Sequence, residues 1–78
     1  MCVAIYKPEN IQTPSLDTLK KCWDANPDGA GFALCTGGDK YAIEIHKGYM
    51  TWKQFKAAFE KYRLADFAGD MLVHFRIA

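Results

Sequence analysis

The chain has 78 residues, of which 50% are hydrophobic and 24% are charged, so its composition is that of one small globular domain and excludes a disordered protein. Ten lysines and arginines against nine aspartates and glutamates leave a formal net charge of +1, without the basic surface typical of nucleic-acid-binding proteins. No apolar run approaches the roughly 18 residues of a membrane span, and no cationic-then-apolar leader opens the chain. The sequence therefore predicts a soluble, cytoplasmic protein that binds neither nucleic acid nor a membrane.

The three cysteines, Cys2, Cys22 and Cys35, cannot all pair within one chain. Without a signal peptide, we expect them to be reduced thiols rather than a secreted disulfide framework. Their spacing contains no Cys-x-x-Cys and matches no common zinc pattern, with or without His46 or His74. We therefore expect no metal site and no cofactor.

The first predicted elements are a strand and a helix. Residues 2–6 form a short apolar run rich in strand-forming side chains and followed by a proline. Thr13 and Pro14 then predict a helix start, with the threonine as N-cap and the proline at the first helical position. Apolar residues recur at helical spacing behind them, at Leu16, Leu19 and Trp23. Asn26 precedes a proline, which predicts the end of the helix there.

A β-hairpin is predicted next, because two runs of strand character, 31–36 and 40–46, flank the glycine pair of Gly37-Gly38-Asp39. In the second run, period two separates the side chains into two faces. We expect the face with Tyr41, Ile43 and Ile45 to be buried, and the face with Ala42, Glu44 and His46 to lie opposite.

The second helix and the last strand complete the predicted elements. Thr51 and Gln54 have the spacing of a capping box, which predicts a helix start. Aromatic residues follow at helical spacing and are expected to pack in the core: Trp52, Phe55, Phe59 and Tyr62. Residues 71–78 predict a strand whose alternation places Leu72, His74 and Arg76 on one side and Met71, Val73, Phe75 and Ile77 on the other.

The predicted fold class is therefore α+β, with the order β-α-β-β-α-β and an antiparallel sheet packed by two helices. This order also fits the split β-α-β units of a ferredoxin-like sandwich, which would make residues 1–78 a self-contained domain. The alternative is that they are the N-terminal part of a larger fold. The order of elements alone does not decide between the two.

Cys2 is the first candidate for chemistry. Removal of Met1 would leave it as the N-terminal residue, with its thiol and its own α-amine in one residue. The amine has a pKa of about 7.7–8.0 and can accept a proton near neutral pH, while the thiol is a strong nucleophile. One residue could then supply both nucleophile and base.

Three motifs in chain order strengthen this interpretation: Met1-Cys2 before a strand, Asn-Pro-Asp-Gly-Ala-Gly-Phe at 26–32, and His-Phe-Arg-Ile-Ala at 74–78. Together they resemble the class II glutamine amidotransferases, which are N-terminal nucleophile hydrolases. The run 45–51 is similar to one in the small stand-alone amidotransferase-like proteins of bacteria and phages. The resemblance spans essentially the whole chain.

The resemblance implies a four-layer αββα fold and an amide hydrolase that releases ammonia from glutamine. Cys2 matches the nucleophile that forms a thioester with the glutamine side chain. Asp28 and Gly29 match the glycine-containing turn before the strand that lies beside the nucleophile. Arg76 matches the arginine that holds the glutamine α-carboxylate, a task that suits its two-pronged guanidinium, and His74 matches a supporting residue.

The sequence also departs from this family. It contains no Asn-Gly pair to match the family's oxyanion hole, and it ends before the family's later aspartate. We therefore expect the 78 residues to be half of a catalytic domain, with little activity, whose uncovered sheet face is closed by a partner protein or a second copy. The alternative function is a non-catalytic protein-binding module, such as a phage-type inhibitor of a host protein.

Overall fold

The computed structural model describes residues 2–35 and 42–77, and its elements follow the predicted β-α-β-β-α-β order. The elements are β1 (Val3–Lys7), α1 (Leu16–Ala25), β2 (Ala30–Cys35), β3 (Ile43–Tyr49), α2 (Trp52–Leu64) and β4 (Met71–Phe75). The predicted turn at Gly37-Gly38-Asp39 and the start of the second hairpin strand at Lys40 and Tyr41 lie outside the described residues. No helix in the described ranges is long and apolar enough to cross a membrane.

The strands form one four-stranded antiparallel sheet with the order β1-β4-β2-β3. Both β-α-β units are split, because β4 lies between β1 and β2, and β2 lies between β4 and β3. The predicted hairpin is confirmed by the antiparallel pairing of β2 with β3. The first and the last strand lie side by side, and Val3 on β1 pairs with Phe75 on β4.

Helix α1 begins two residues later than the Thr13 cap predicts. Its N-cap is Ser15, whose hydroxyl oxygen accepts a hydrogen bond of 3.2 Å from the Thr18 amide. Thr13 is buried, and its amide donates to the carboxylate of Asp66 at 3.2 Å. Because Asp66, after α2, engages Thr13, the next hydroxyl along the chain caps the helix. The helix ends at Asn26, as predicted.

Helix α2 confirms both parts of its prediction. Thr51 and Gln54 form a reciprocal capping box, and Phe55 and Phe59 are fully buried. The ring of Phe59 stacks on that of Phe55 with centroids 5.6 Å apart, and it meets the Phe32 ring edge-on at 5.2 Å. The core therefore lies between the helices and one face of the sheet.

The predicted orientation of β3 is wrong, although its alternation is right. Ile43 and Ile45 are 66% and 65% exposed, whereas Glu44 and His46 are half-buried on the helix side. The Tyr62 hydroxyl donates to Glu44 at 2.7 Å, and the His46 ring stacks on Phe32 with centroids 4.7 Å apart. Polar side chains thus find partners beneath α2, and the isoleucines point away from the core.

We call the side of the sheet turned away from the helices the open face. On β4 it carries Leu72, His74 and Arg76, as predicted, while Met71, Val73 and Phe75 are buried on the other side. The other strands contribute Ala4, Tyr6, Gly31, Ala33, Ile43, Ile45 and Lys47 by the same alternation. Ile77, predicted inside the last strand, follows its end and is half-buried.

Candidate functional site

Cys2 and Arg76 emerge at the same end of two neighbouring strands. Cys2 directly precedes β1 and Arg76 directly follows β4, and the adjacent pair in the register is Val3 with Phe75. Both residues are exposed. The thiol of an edge strand and the guanidinium of a central strand therefore flank the same corner of the sheet.

The turn at Asp28 and Gly29 is fixed to Arg76 by main-chain hydrogen bonds. The Arg76 amide donates to the Gly29 carbonyl oxygen at 2.8 Å, and the Asp28 amide donates to the Arg76 carbonyl oxygen at 2.8 Å. Gly29 has a φ of +132°, a backbone conformation that glycine adopts without strain. Main-chain hydrogen bonds therefore hold the turn beside Arg76, and they do not depend on the identity of the side chains.

His74 lies on the open face one alternation before Arg76, so the predicted common side of these two residues is confirmed. It is opposite Ala4 on β1 and Gly31 on β2. A Cβ at Gly31 would stand 2.8 Å from the His46 carbonyl oxygen, so glycine permits the close approach of β2 to β3 there. The small residues on either side leave the His74 imidazole accessible.

A shallow depression of about 210 Å³ opens on this end of the sheet. Its lining includes four of the five predicted site residues, Asp28, Gly29, His74 and Arg76, together with Lys47 and Met50. Cys2 is not part of the lining, since it lies on the β1 side of Arg76 and the depression lies on the β2 side. The structure thus brings four of the predicted site residues into one depression. The fifth, Cys2, directly precedes the neighbouring strand β1, on the other side of Arg76.

The end of the sheet around Arg76 carries cations that can bind an anion, and the Cys2 thiol lies nearby. Arg76 offers a planar fork that can bind a carboxylate through two hydrogen bonds, and Lys47 adds a second cation. The exposed Cys2 thiol lies on the other flank of Arg76. Lys47 is not among the predicted site residues, although strand alternation places it on the same face of β3 as Ile43 and Ile45.

A second polar cluster lies on the helix side of the sheet. The Tyr62 hydroxyl donates to Glu44 Oε1 at 2.7 Å and lies 3.2 Å from His46 Nε2, which also hydrogen-bonds to that carboxylate. The hydrogen bond from Tyr62, followed by that from His46, lowers the pKa of Glu44, and the same Tyr62–Glu44 bond raises the pKa of Tyr62. This cluster is on the opposite face from His74 and Arg76, so it does not serve the same site.

The remaining cysteines are less accessible than Cys2. Cys22 on α1 and Cys35 on β2 are half-buried, while Cys2 is exposed. Over the described ranges 2–35 and 42–77, no three histidine, cysteine or carboxylate side chains come together as metal ligands would. Cys2 is therefore the best-placed thiol for reaction with a small molecule.

Comparisons of the chain with known protein families, with characterised protein sequences and with solved structures find no match.

Proposed function

We propose that the chain is the nucleophile-bearing part of an amide hydrolase of the class II glutamine amidotransferase type. Cys2 is the proposed nucleophile, and Arg76 is the proposed anchor for the α-carboxylate of glutamine. His74, Asp28 and Gly29 support the substrate in the same corner. The observation that carries the proposal is the convergence of these residues, distant in sequence, at one end of the open face.

In the proposed reaction, the Cys2 sulfur attacks the side-chain carbonyl carbon of glutamine. The thiol proton passes to the α-amine of Cys2 and then to the leaving nitrogen, so the C–N bond breaks and ammonia leaves as a thioester forms. Water then hydrolyses the thioester, which releases glutamate and restores the thiol. Removal of Met1 is a requirement, because an amide nitrogen cannot accept this proton.

The proposed fold is the helix-covered sheet of a four-layer αββα arrangement. Both helices cover one face of the sheet, and the open face carries large apolar side chains that a second sheet would bury. The alternative is a self-contained ferredoxin-like sandwich. That fold has the first and third strands in the centre of its sheet, whereas β1 and β3 are the edge strands here, which favours the first proposal.

The alternative function is a non-catalytic protein-binding module of the phage-inhibitor type. The observation that favours it is the same exposed apolar surface on the open face. Retention of Met1 in the mature protein, together with a stoichiometric complex with a host protein, would support this alternative over the hydrolase.

The experiment uses a diazoketone analogue of L-glutamine, 6-diazo-5-oxo-L-norleucine, on protein whose loss of Met1 is verified by intact mass. We expect one covalent adduct, on Cys2, and none on Cys2→Ala protein. Arg76→Lys should raise the half-saturating concentration by about 10- to 100-fold, because a point charge replaces a two-pronged carboxylate contact. Lys53→Ala, an exposed cation on α2, is the matched control and should change nothing.

Two results would contradict the proposal: adducts on Cys22 or Cys35 at the rate of Cys2, or equal rates for the L and D forms of the analogue. Steady glutamine hydrolysis by the 78-residue chain should remain low. Each missing oxyanion donor costs about 10²–10³ in kcat. The sequence contains no Asn-Gly pair of the kind that supplies these donors in the family. Steady ammonia release that disappears in Cys2→Ala would show that the chain forms an oxyanion hole from other residues.

A further inference from the structure

The open face has an apolar row at its centre that crosses all four strands. The register aligns Tyr6 with Leu72, Leu72 with Ala33, and Ala33 with Ile45. Tyr6 is 62% exposed and Leu72 is 47% exposed. The solvated face of an antiparallel sheet is ordinarily polar, so a continuous apolar row of this kind is typical of an interaction surface.

Among the residues that the structure describes, the two ends of the open face carry opposite charge. At one end lie Arg76, Lys47 and His74, with Asp28 offsetting one cation. At the other end, Asp70 accepts hydrogen bonds from the Glu9 amide at 2.7 Å and from the Tyr6 hydroxyl at 3.4 Å. The charge of Asp70, with a smaller contribution from Glu9, raises the pKa of Tyr6.

We propose that a second copy of this chain covers the open face, about a two-fold axis that runs along the central row and across the strands. This axis reverses the strand direction, so the basic end of each copy faces the acidic end of its partner, and the row containing Leu72 packs on itself. A two-fold axis parallel to the strands would instead oppose like charges. Charge complementarity therefore selects a second copy and its orientation.

The dimensions of the open face give the area that the dimer would bury. Four strands about 4.8 Å apart and about six residues long present a face of roughly 19 by 20 Å. Two such faces bury roughly 800 Å² in total, which is below the area of stable complexes and in the range of weak, transient ones. We therefore expect a weak dimer whose population depends on protein concentration between about 1 and 500 μM. Each partner brings Asp70 and Glu9 towards the Arg76 end, so dimer formation and the binding of a substrate carboxylate at Arg76 compete, while Cys2 stays at the rim on β1.

Sedimentation equilibrium of the 78-residue chain tests this proposal independently of any chemistry at Cys2. Between about 1 and 500 μM, the mass should rise from 8.8 kDa towards twice that value. Leu72→Lys should weaken the dimer by at least about 30-fold, the loss expected for a central interface side chain. Leu64→Lys is the matched control, because Leu64 is 71% exposed on α2, away from the face, and it should leave the dimer unchanged. Circular dichroism checks that both variants are folded.

The antiparallel orientation of the two copies, with the basic end of each facing the acidic end of the other, has its own test. At low salt, Arg76→Glu should weaken the dimer by about threefold or more, and an equimolar mixture of Arg76→Glu with Glu9→Lys should associate more tightly than Arg76→Glu alone. A mass that stays at 8.8 kDa up to about 500 μM would overturn the proposal. So would unaltered association of Leu72→Lys, unlimited growth beyond a dimer, or an Arg76→Glu protein that pairs as tightly as the wild type.

Discussion

Truncation of Phe59 is the sharpest test of how the helices and the sheet form one core. Phe59 is fully buried, and its ring contacts those of Phe55 and Phe32. Phe59→Ala removes a ring that these neighbours cannot replace, so we expect a loss of about 3–5 kcal/mol in the free energy of unfolding. A chain of 78 residues has about 4–12 kcal/mol in all, so the loss is between a quarter and the whole of its stability.

Urea denaturation followed by circular dichroism, at one fixed protein concentration, measures this loss. With a slope of about 1 kcal/mol per molar urea, the midpoint should fall by about 3 M or more. Lys56→Ala, on the exposed side of α2, should change stability by less than about 0.5 kcal/mol. If Phe59→Ala is already unfolded without urea, Phe59→Leu provides a measurable loss of about 1.5 kcal/mol. Equal losses for the phenylalanine and lysine variants would refute the assigned orientation of α2.

Two further predictions concern single side chains. Iodoacetamide should modify the exposed Cys2 faster than the half-buried Cys22 and Cys35 in native protein, as read by peptide mass, and equal rates would remove the argument for Cys2 as the accessible nucleophile. Tyr62→Phe should raise the pKa of Glu44, measured by NMR titration, because the Tyr62 hydrogen bond is the largest cause of its lowering. A lowered carboxyl pKa stabilises the folded state at pH values above the unfolded pKa, and this contribution is lost as the pH falls through the folded pKa. The Tyr62→Phe variant should therefore lose part of the stability that Glu44 contributes above that pH. An unchanged Glu44 pKa in the variant would contradict the assigned hydrogen bond.

The elements that could be predicted are those specified locally. The capping box of Thr51 and Gln54 and the aromatic spacing of α2 lie within one helix, and the structure confirms both. The start of α1 depends on Asp66, which follows the other helix and engages Thr13, so local sequence selects the wrong cap. The orientation of β3 likewise depends on Tyr62 and Phe32, which hold Glu44 and His46 on the helix side.

In the candidate site, too, local patterns predict some features, and others depend on residues distant in sequence. Alternation along β4 predicts that His74 and Arg76 share a face, and they do. The two hydrogen bonds that join Arg76 to Asp28 and Gly29 depend on β4 lying beside β2, which no local pattern specifies. Lys47 enters the depression for a similar reason, because β3 approaches β2 closely at Gly31.

The central position of β4 has a consequence for biosynthesis. β1 pairs with β4 and with no other strand in the described part of the chain, and about 70 residues separate Val3 from its partner Phe75. The N-terminal segment is therefore synthesised well before its neighbour in the sheet exists. Until β4 has been made, β1 has no partner strand among the described residues. Cys2, which directly precedes β1, therefore lies beside an unpaired strand until β4 completes the sheet.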